Sequence, residues 1–423
     1  MIDQVGITTD DAQIAETVQV AALLHDVGHF PLSHTCEAAY PLKPPTGGDI
    51  GWGEPEELTR PAPDSDAIGS HLLQFSAEAG GLKKGFHHEA LGAEVVCSGK
   101  WGMPAELGEL SAADVGSIIT GSFVHETYGK ALSGIVKSQF DADRLDYLLR
   151  DAKTIGSTYG AVEADRLISK LKRYTWGKKQ YVAFDEDAVP ALDHFMMSRY
   201  FAYEAIIFHR AACCFDVLAR ALYMALMHYC AELPQNAEQL GALARDEFDG
   251  LGLLEWNDHL YWQRLQVLAK RPDLDEVTKA ILSWVFERKQ PKVVREERVG
   301  FGIINEEADE ELKAYSARRD AVKAALPQAI ADANADPRLC FFHESSKPVY
   351  DEPVLNWKPS DGLPDTDSVL VRCRGQKVAG PLEAVPHSLL RQASRLNFRY
   401  FRVYAPWDTG PAVKTNLIAA LGE

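Results

Sequence analysis

Basic residues are in short supply in this chain. Lys and Arg number 44 against 61 Asp and Glu, a formal net charge of −17, which argues against general affinity for a nucleic-acid duplex. Phosphate binding is therefore expected only at local sites. Two basic clusters exist, Lys170, Lys172, Arg173, Lys178 and Lys179, and Arg391, Arg395, Arg399 and Arg402, and each reads more readily as a solvated helix face. No apolar run reaches the roughly 18 residues that cross a bilayer, so no membrane association is expected. The opening Met1-Ile2-Asp3-Gln4 lacks the basic and apolar segments of a secretory leader. The seven cysteines include no Cys-x-x-Cys pair, which excludes a zinc ribbon and a disulfide framework and predicts a reducing cytoplasm. Gly80-Gly81-Leu82-Lys83-Lys84-Gly85 lacks the Lys-Ser/Thr ending of a phosphate-binding loop.

What is present is ordinary for a globular chain: 423 residues, 46% hydrophobic and 25% charged, enough for two or three units. Apolar spacing of three and four predicts helices over residues 10–36, 91–149, 188–231 and 237–288. Runs rich in β-branched and aromatic residues predict strands at 180–184, 369–373 and 398–404, with a helix over 388–396. The expected fold is mainly α: a helical catalytic body over 1–235, a helical extension over 236–345 and a small α+β region over 346–423. A Pro- and Gly-rich stretch from Pro41 to Asp66 reads as a long surface loop of the kind that is functional or disordered.

The chemistry concentrates in Ala21-Ala22-Leu23-Leu24-His25-Asp26-Val27-Gly28-His29-Phe30-Pro31-Leu32-Ser33-His34. Four ionisable groups within an apolar run are costly to bury without a ligand or charge partner. His25 and Asp26 are expected on the last turn of a helix, with Gly28 turning the chain in left-handed geometry. Pro31 prevents the helix from resuming, and His29 and His34 return to the same pocket. A second cluster, Asp141 to Asp151, places Asp143, Tyr147 and Asp151 on one helix face at i, i+4 and i+8. Asp146 and Arg150 also fit an intrahelical ion pair. With His25, Asp26 and the distant Asp143 as ligands, mixed nitrogen and oxygen donors suit Mn, Fe, Ni, Co or Zn better than Ca.

These runs, together with His88-Glu89 and the segment from Arg199 to His209, resemble the HD-domain phosphohydrolases. Within them the resemblance is to the deoxynucleoside triphosphate triphosphohydrolases, the group of bacterial dGTPases and the SAM and HD domain-containing protein. It implies His25, Asp26 and Asp143 as metal ligands, His29, His88 and Glu89 near the scissile phosphate, and His34 on the phosphate chain or a second cation. It further implies Arg144, Tyr147 and Asp151 at the triphosphate and sugar, and Arg199, Tyr203 and His209 at the phosphate or base end. The implied reaction converts a dNTP to a deoxynucleoside and inorganic triphosphate, with Mg on the nucleotide phosphates, a nucleotide effector and a homo-oligomer.

One departure stands out. The family's metal site takes a further His about forty residues upstream, preceded by a phosphate-holding Arg, whereas no His or Arg occurs before His25. A late chain start is the favoured expectation, a three-ligand variant and a partner-donated ligand being the others. Two alternative functions also stand: an HD phosphatase or phosphodiesterase acting on another nucleotide, and a nucleotide-binding sensor or assembly subunit with little catalysis.

Overall fold

Helical spacing of apolar residues builds the body. In the computed structural model, which describes residues 1–7, 12–40, 87–101, 111–125, 128, 131–301, 306–349, 357–362, 368–393 and 397–422, the first part of the chain forms α1 (Ala12–Leu24), α2 (His34–Glu37), α3 (His88–Cys97), α4 (Ala112–Ile119), α5 (Ala131–Val136), α6 (Ala142–Ile155) and α7 (Ala164–Lys170). The Pro41–Asp66 stretch, the Gly80–Gly85 run and Arg395 lie outside the described residues. A hairpin of β1 (Leu171–Trp176) and β2 (Lys179–Asp185) leads into α8 (Val189–Ala202), a π-helical turn over Tyr203–Ile207, and α9 (Arg210–Tyr229). Next come α10 (Ala237–Ala244), α11 (Asp258–Leu268), α12 (Glu276–Phe286), β3 (Lys292–Phe301) and α13 (Glu306–Asp332). The C-terminal part carries β4 (Phe341–Pro348), β5 (Leu370–Arg372), β6 (Gly380–Pro381), α14 (Leu390–Ala393), β7 (Asn397–Ala405) and α15 (Gly410–Leu421).

Two large apolar cores frame the site. One gathers Val18 of α1, Val115 and Ile118 of α4, Leu132 of α5, Leu145 and Leu148 of α6, and Leu192 and Phe195 of α8. The other surrounds α9 with Leu240, Leu265, Ile281 and Trp256. Among the described residues α9 is the helix long and apolar enough to cross a bilayer; here Cys214, Val217, Leu218, Ala221 and Leu222 bury it in that second core. Side-chain caps fix several helix starts: Asp141 accepts from Arg144 N at 2.7 Å, Asn236 from Gln239 N at 2.9 Å, and Asp275 from Thr278 N at 2.9 Å.

The fold is mainly α with a small C-terminal α+β region, as the composition and periodicity predict. That region is the antiparallel sheet β3-β7-β4, against which α13 and α15 pack. The remaining C-terminal strands go elsewhere. β5 pairs in parallel with β2, and β6 closes a four-stranded sheet β1-β2-β5-β6 on the body. Strand β3 and the first part of β4 fall within 236–345, a stretch whose sequence reads as helical. Charge hides the strand period of β3: Arg295 pairs with Glu297, and Glu296 with Arg298 and Arg402.

Members of both basic clusters are matched by acids. Lys170 pairs with Asp187 at 3.1 Å and Lys172 with Asp185. Arg402 is fully buried in β7, donating to Glu296 Oε2 at 2.7 Å and to the Phe208 carbonyl at 2.8 Å. Its strand partner in β4 is His343. Burial, with Arg220 and Arg402 nearby, pushes the His343 imidazole down to about 3 from the ordinary 6.5.

The folded chain therefore keeps His343 neutral at pH values where the unfolded chain charges it. Stability is full above about pH 6.5 and falls as the pH drops from there toward 3, by about 1.4 kcal/mol per pH unit from this group. Urea unfolding of the wild type and His343→Phe between about pH 7.5 and 5 checks this. The variant's midpoint should decline less steeply on acidification, and parallel curves would remove His343 as the cause.

Candidate metal and phosphate site

The helix expected over residues 10–36 ends at Leu24, and the chain leaves it through a series of turns: Val27 N donates to the Leu24 carbonyl at 3.0 Å, and His29 N to the Asp26 carbonyl at 3.0 Å. His25 is the first residue past the helix. Its Nδ1 donates to the Ala22 carbonyl at 2.8 Å, which fixes the tautomer and turns Nε2 toward Asp26 Oδ1 at 3.2 Å and Asp143 Oδ1 at 3.3 Å. This backbone bond on the far nitrogen is the support that a metal-ligating imidazole usually has. Nε2 itself is buried and makes no well-directed hydrogen bond, so the residues present fit a cation. Asp143 chiefly, against the cost of burial, raises His25 to about 9. The field that retains a proton there also favours a divalent ion, which competes with that proton. Among the described residues no fourth donor joins His25, Asp26 and Asp143.

Beside these ligands lies a cluster of imidazoles. His29 stacks on His88 at 4.0 Å with the rings 10° apart, and His34 meets both edge-on at 5.1 and 5.0 Å. His29 bridges the two groups: its Nε2 is 3.1 Å from Asp26 Oδ1 and its Nδ1 is 2.9 Å from Ser33 Oγ.

The organising residue is Glu37, which sequence reasoning missed. Its Oε2 accepts from His34 Nδ1 at 2.8 Å and His88 Nδ1 at 3.3 Å, and its Oε1 lies 3.3 Å from His87 Nδ1. Burial pushes the Glu37 carboxyl up, but the hydrogen bonds from His34, His87 and His88 outweigh that effect and hold it well below the ordinary range. Reciprocally, Glu37 raises His34 and His87. The available signal was position, since Glu37 stands three residues after His34 on one helical turn. Glu89, the neighbour of His88, instead pairs with Lys137 at 2.9 Å.

Backbone geometry brings the pieces together. Gly28 has no positive φ, contrary to the expected left-handed turn. Its requirement is close approach: a Cβ there would sit 2.2 Å from both Gly92 N and the His88 carbonyl of α3. The positive φ angles of this stretch belong to Leu32 and Ser33, at 53° and 55°. Such conformations cost about 1–3 kcal/mol each in a non-glycine residue.

The second cluster forms an adjoining wall. Asp141 caps α6, with its carboxyl pushed up to about 6 by burial, and Asp143 follows on the first turn. Arg144 Nη1 and Arg199 Nη1 both donate to Gln139 Oε1 at 3.2 Å. Burial raises the Tyr147 phenol, with Tyr203, Arg199 and Arg144 close enough to act on it. The structure thus brings Arg144, Tyr147, Arg199 and Tyr203 together. Gln139, like Glu37, carried no motif. Tyr203 opens the π-helical turn, a form found often at functional sites. Asp151 is exposed on the following turn of α6, and exposed His209 accepts from Ala211 N at 3.3 Å as the cap of α9. Asp146 and Arg150 form their ion pair on the surface.

The fold is shared with solved structures. A phosphohydrolase from Bacteroides thetaiotaomicron matches with a TM-score of 0.57 at 18% identity, over 95% of this chain and 83% of that one. A hypothetical protein from Aquifex aeolicus matches at 0.60 with 20% identity, over 98% and 82%. In sequence, the uncharacterized protein YwfO of Bacillus subtilis is 26% identical over 201 residues, which are 47% of this chain and 34% of that protein. The uncharacterized protein MG461 of Mycoplasma genitalium is 23% identical over 191 residues, 45% and 37% of the two chains. This chain therefore spans little more than a third of those relatives' length. No family model matches it.

Gly28→Ala should force α3 away from the turn, costing about 1–3 kcal/mol as an overpacked contact and separating His88 from His29. Gly134→Ala, at a helical position with nothing within 4 Å of the added Cβ, is the control and should be neutral or stabilising. Urea midpoints and histidine ¹H–¹⁵N spectra of both variants decide, and a Gly28→Ala protein as stable as wild type would refute the contact.

Proposed function

We propose that this chain is a metal-dependent phosphohydrolase of the HD type that converts deoxynucleoside triphosphates to the deoxynucleoside and inorganic triphosphate. The observation that carries the reading is the meeting of His25, Asp26 and Asp143 beside three further imidazoles, with Arg144 and Arg199 on the adjoining wall. The fold of the Bacteroides thetaiotaomicron phosphohydrolase supports the general activity, and the motif resemblance supports the nucleotide.

His25, Asp26 and Asp143 would hold a divalent transition ion, and Mg would accompany the nucleotide phosphates. Such an ion supplies Lewis acidity at a phosphoryl oxygen and acidifies water. The rest falls to the chain's own groups. Glu37 retains a proton on His34 Nδ1 and raises the imidazole, so His34 can donate from Nε2 to the 5′ oxygen as its bond to the α-phosphorus breaks. His88 shares Glu37 and stacks on His29, which keeps both rings beside the reacting phosphate. Arg144 and Arg199 neutralise the phosphate chain, and Tyr147 and Tyr203 line the sugar and base end. Asp151 and His209, both exposed, contact the outer parts of the nucleotide.

Incubating the purified chain with each dNTP, Mg²⁺ and Mn²⁺ and resolving the products by ³¹P NMR tests this. Inorganic triphosphate is expected, and orthophosphate or pyrophosphate would overturn the substrate assignment. His25→Ala and Asp26→Ala should each lower the rate by about 100-fold or more, and unchanged hydrolysis would overturn the metal site. Glu37→Gln removes the charge that raises His34. A donor acts while protonated and is lost as pH rises through its pKa, so the alkaline limb of kcat should move to lower pH in this variant.

A further inference from the structure

His34 follows two residues of uncommon backbone conformation. Leu32 and Ser33 have consecutive positive φ angles, which a bulky side chain such as leucine rarely adopts. Within the segment, Ser33 N donates to the Phe30 carbonyl at 2.7 Å, and Thr35 N to the Leu32 carbonyl at 3.1 Å. Ser33 Oγ also meets His29 Nδ1 at 2.9 Å, and Glu37 N donates to the Ser33 carbonyl at 3.2 Å; two distant helices then grip the residues on either side of His34. Asp258, the first residue of α11, accepts from Leu32 N through Oδ1 at 2.7 Å. Asp216 of α9 accepts from Thr35 Oγ1 at 2.6 Å, and Arg220, one turn further along α9, donates from Nε to the Thr35 carbonyl at 3.0 Å. Charged groups therefore take both polar atoms that Thr35 offers on this side and the amide of Leu32. Hydrogen bonds with one ionised partner are the stronger kind.

We propose that Asp216, Arg220 and Asp258 are positioning residues that clamp Leu32–Thr35 in this geometry and thereby aim the His34 imidazole at the leaving oxygen. They act on the residues either side of His34, through the Leu32 amide and through the hydroxyl and carbonyl of Thr35. The proposal rests on the reading of His34 as proton donor. It adds a specific division of labour: the second core, through α9 and α11, sets the orientation of a group whose proton affinity Glu37 sets.

The test uses the full chain with metal and compares Asp258→Leu and Thr35→Val with the conservative Asp258→Asn and Thr35→Ser. Asn and Ser keep the acceptor and the donor that the clamp requires. Misplacement of a reacting group by about 1 Å costs on the order of 100-fold, so Asp258→Leu and Thr35→Val should lower kcat about 10- to 100-fold, with KM and bound metal within about twofold of wild type. The His34 ¹H–¹⁵N signals should move in the same two variants, and the conservative pair should retain both kcat and those signals. Unchanged kcat in folded Asp258→Leu and Thr35→Val overturns the clamp, as does a loss of kcat with His34 signals in place, or an equal loss in the conservative pair. If the wild type releases no inorganic triphosphate, the reaction assignment fails by itself. The His34 signals then decide the clamp alone, being read without turnover.

Discussion

The site depends on the backbone contact between Gly28 and the start of α3. A Cβ at Gly28 would lie 2.2 Å from Gly92 N and from the His88 carbonyl, so only a glycine lets the turn after α1 reach this close. Gly92 faces Gly28 in return, and a Cβ on it would stand 3.3 Å from Gly28 N. Two segments about sixty residues apart in sequence are thereby fixed face to face. The stacking of His29 on His88 at 4.0 Å follows from this approach, as does the reach of His88 to Glu37.

Holding so many ionisable groups together requires that each meet an opposite or complementary partner. Glu37 carries most of that demand, since one buried carboxylate accepts from His34 and His88 and lies beside His87. Asp26 serves the other side, between His25 and His29. The two carboxylates separate the imidazoles by task. His25 has its Nδ1 bound to a main-chain carbonyl and Nε2 turned to oxygen donors, a ligand's arrangement. His34 has its Nδ1 bound to a carboxylate, an arrangement for an acid or base.

Much of the site is legible in the sequence because its residues are contiguous. The run from His25 to His34 and the run from Asp141 to Asp151 state their chemistry in adjacent letters, and the apolar spacing around them gives the helices. What stays hidden depends on distance or on ambiguity of type. Glu37 and Gln139 are common residues in ordinary surroundings, and only the fold shows that histidines and arginines converge on them. Gly28 reads as a helix stop when its constraint is a neighbour's backbone, which no local pattern encodes. Strand β3 is masked because its charged side chains are satisfied by Arg318, Arg402 and one another, so alternation of apolar and polar residues never develops. Arg402 makes the same point in reverse: in sequence it belongs to a basic cluster, and in the fold it is a buried tie between β7 and the end of the π-helical turn.

For the proposed function, an acidic protein must separate its overall charge from the charge at the site. The net −17 belongs to the whole chain, and beyond a Debye length of about 8 Å at physiological salt its exposed part is largely screened. Within the site the balance differs. Arg199 is buried and donates twice to Gln139, to its side-chain and main-chain oxygens, and Arg144 shares the same amide oxygen. A neutral amide orients two guanidiniums without cancelling them. The nearby Asp141, pushed up to about 6 by burial, lies 3.4 Å from Arg144 Nε and balances part of its charge. Lys170 and Lys172 of the first basic cluster, by contrast, are matched by Asp187 and Asp185. The two guanidiniums are thus gathered on one neutral amide, the place where the proposed reading puts the phosphate chain.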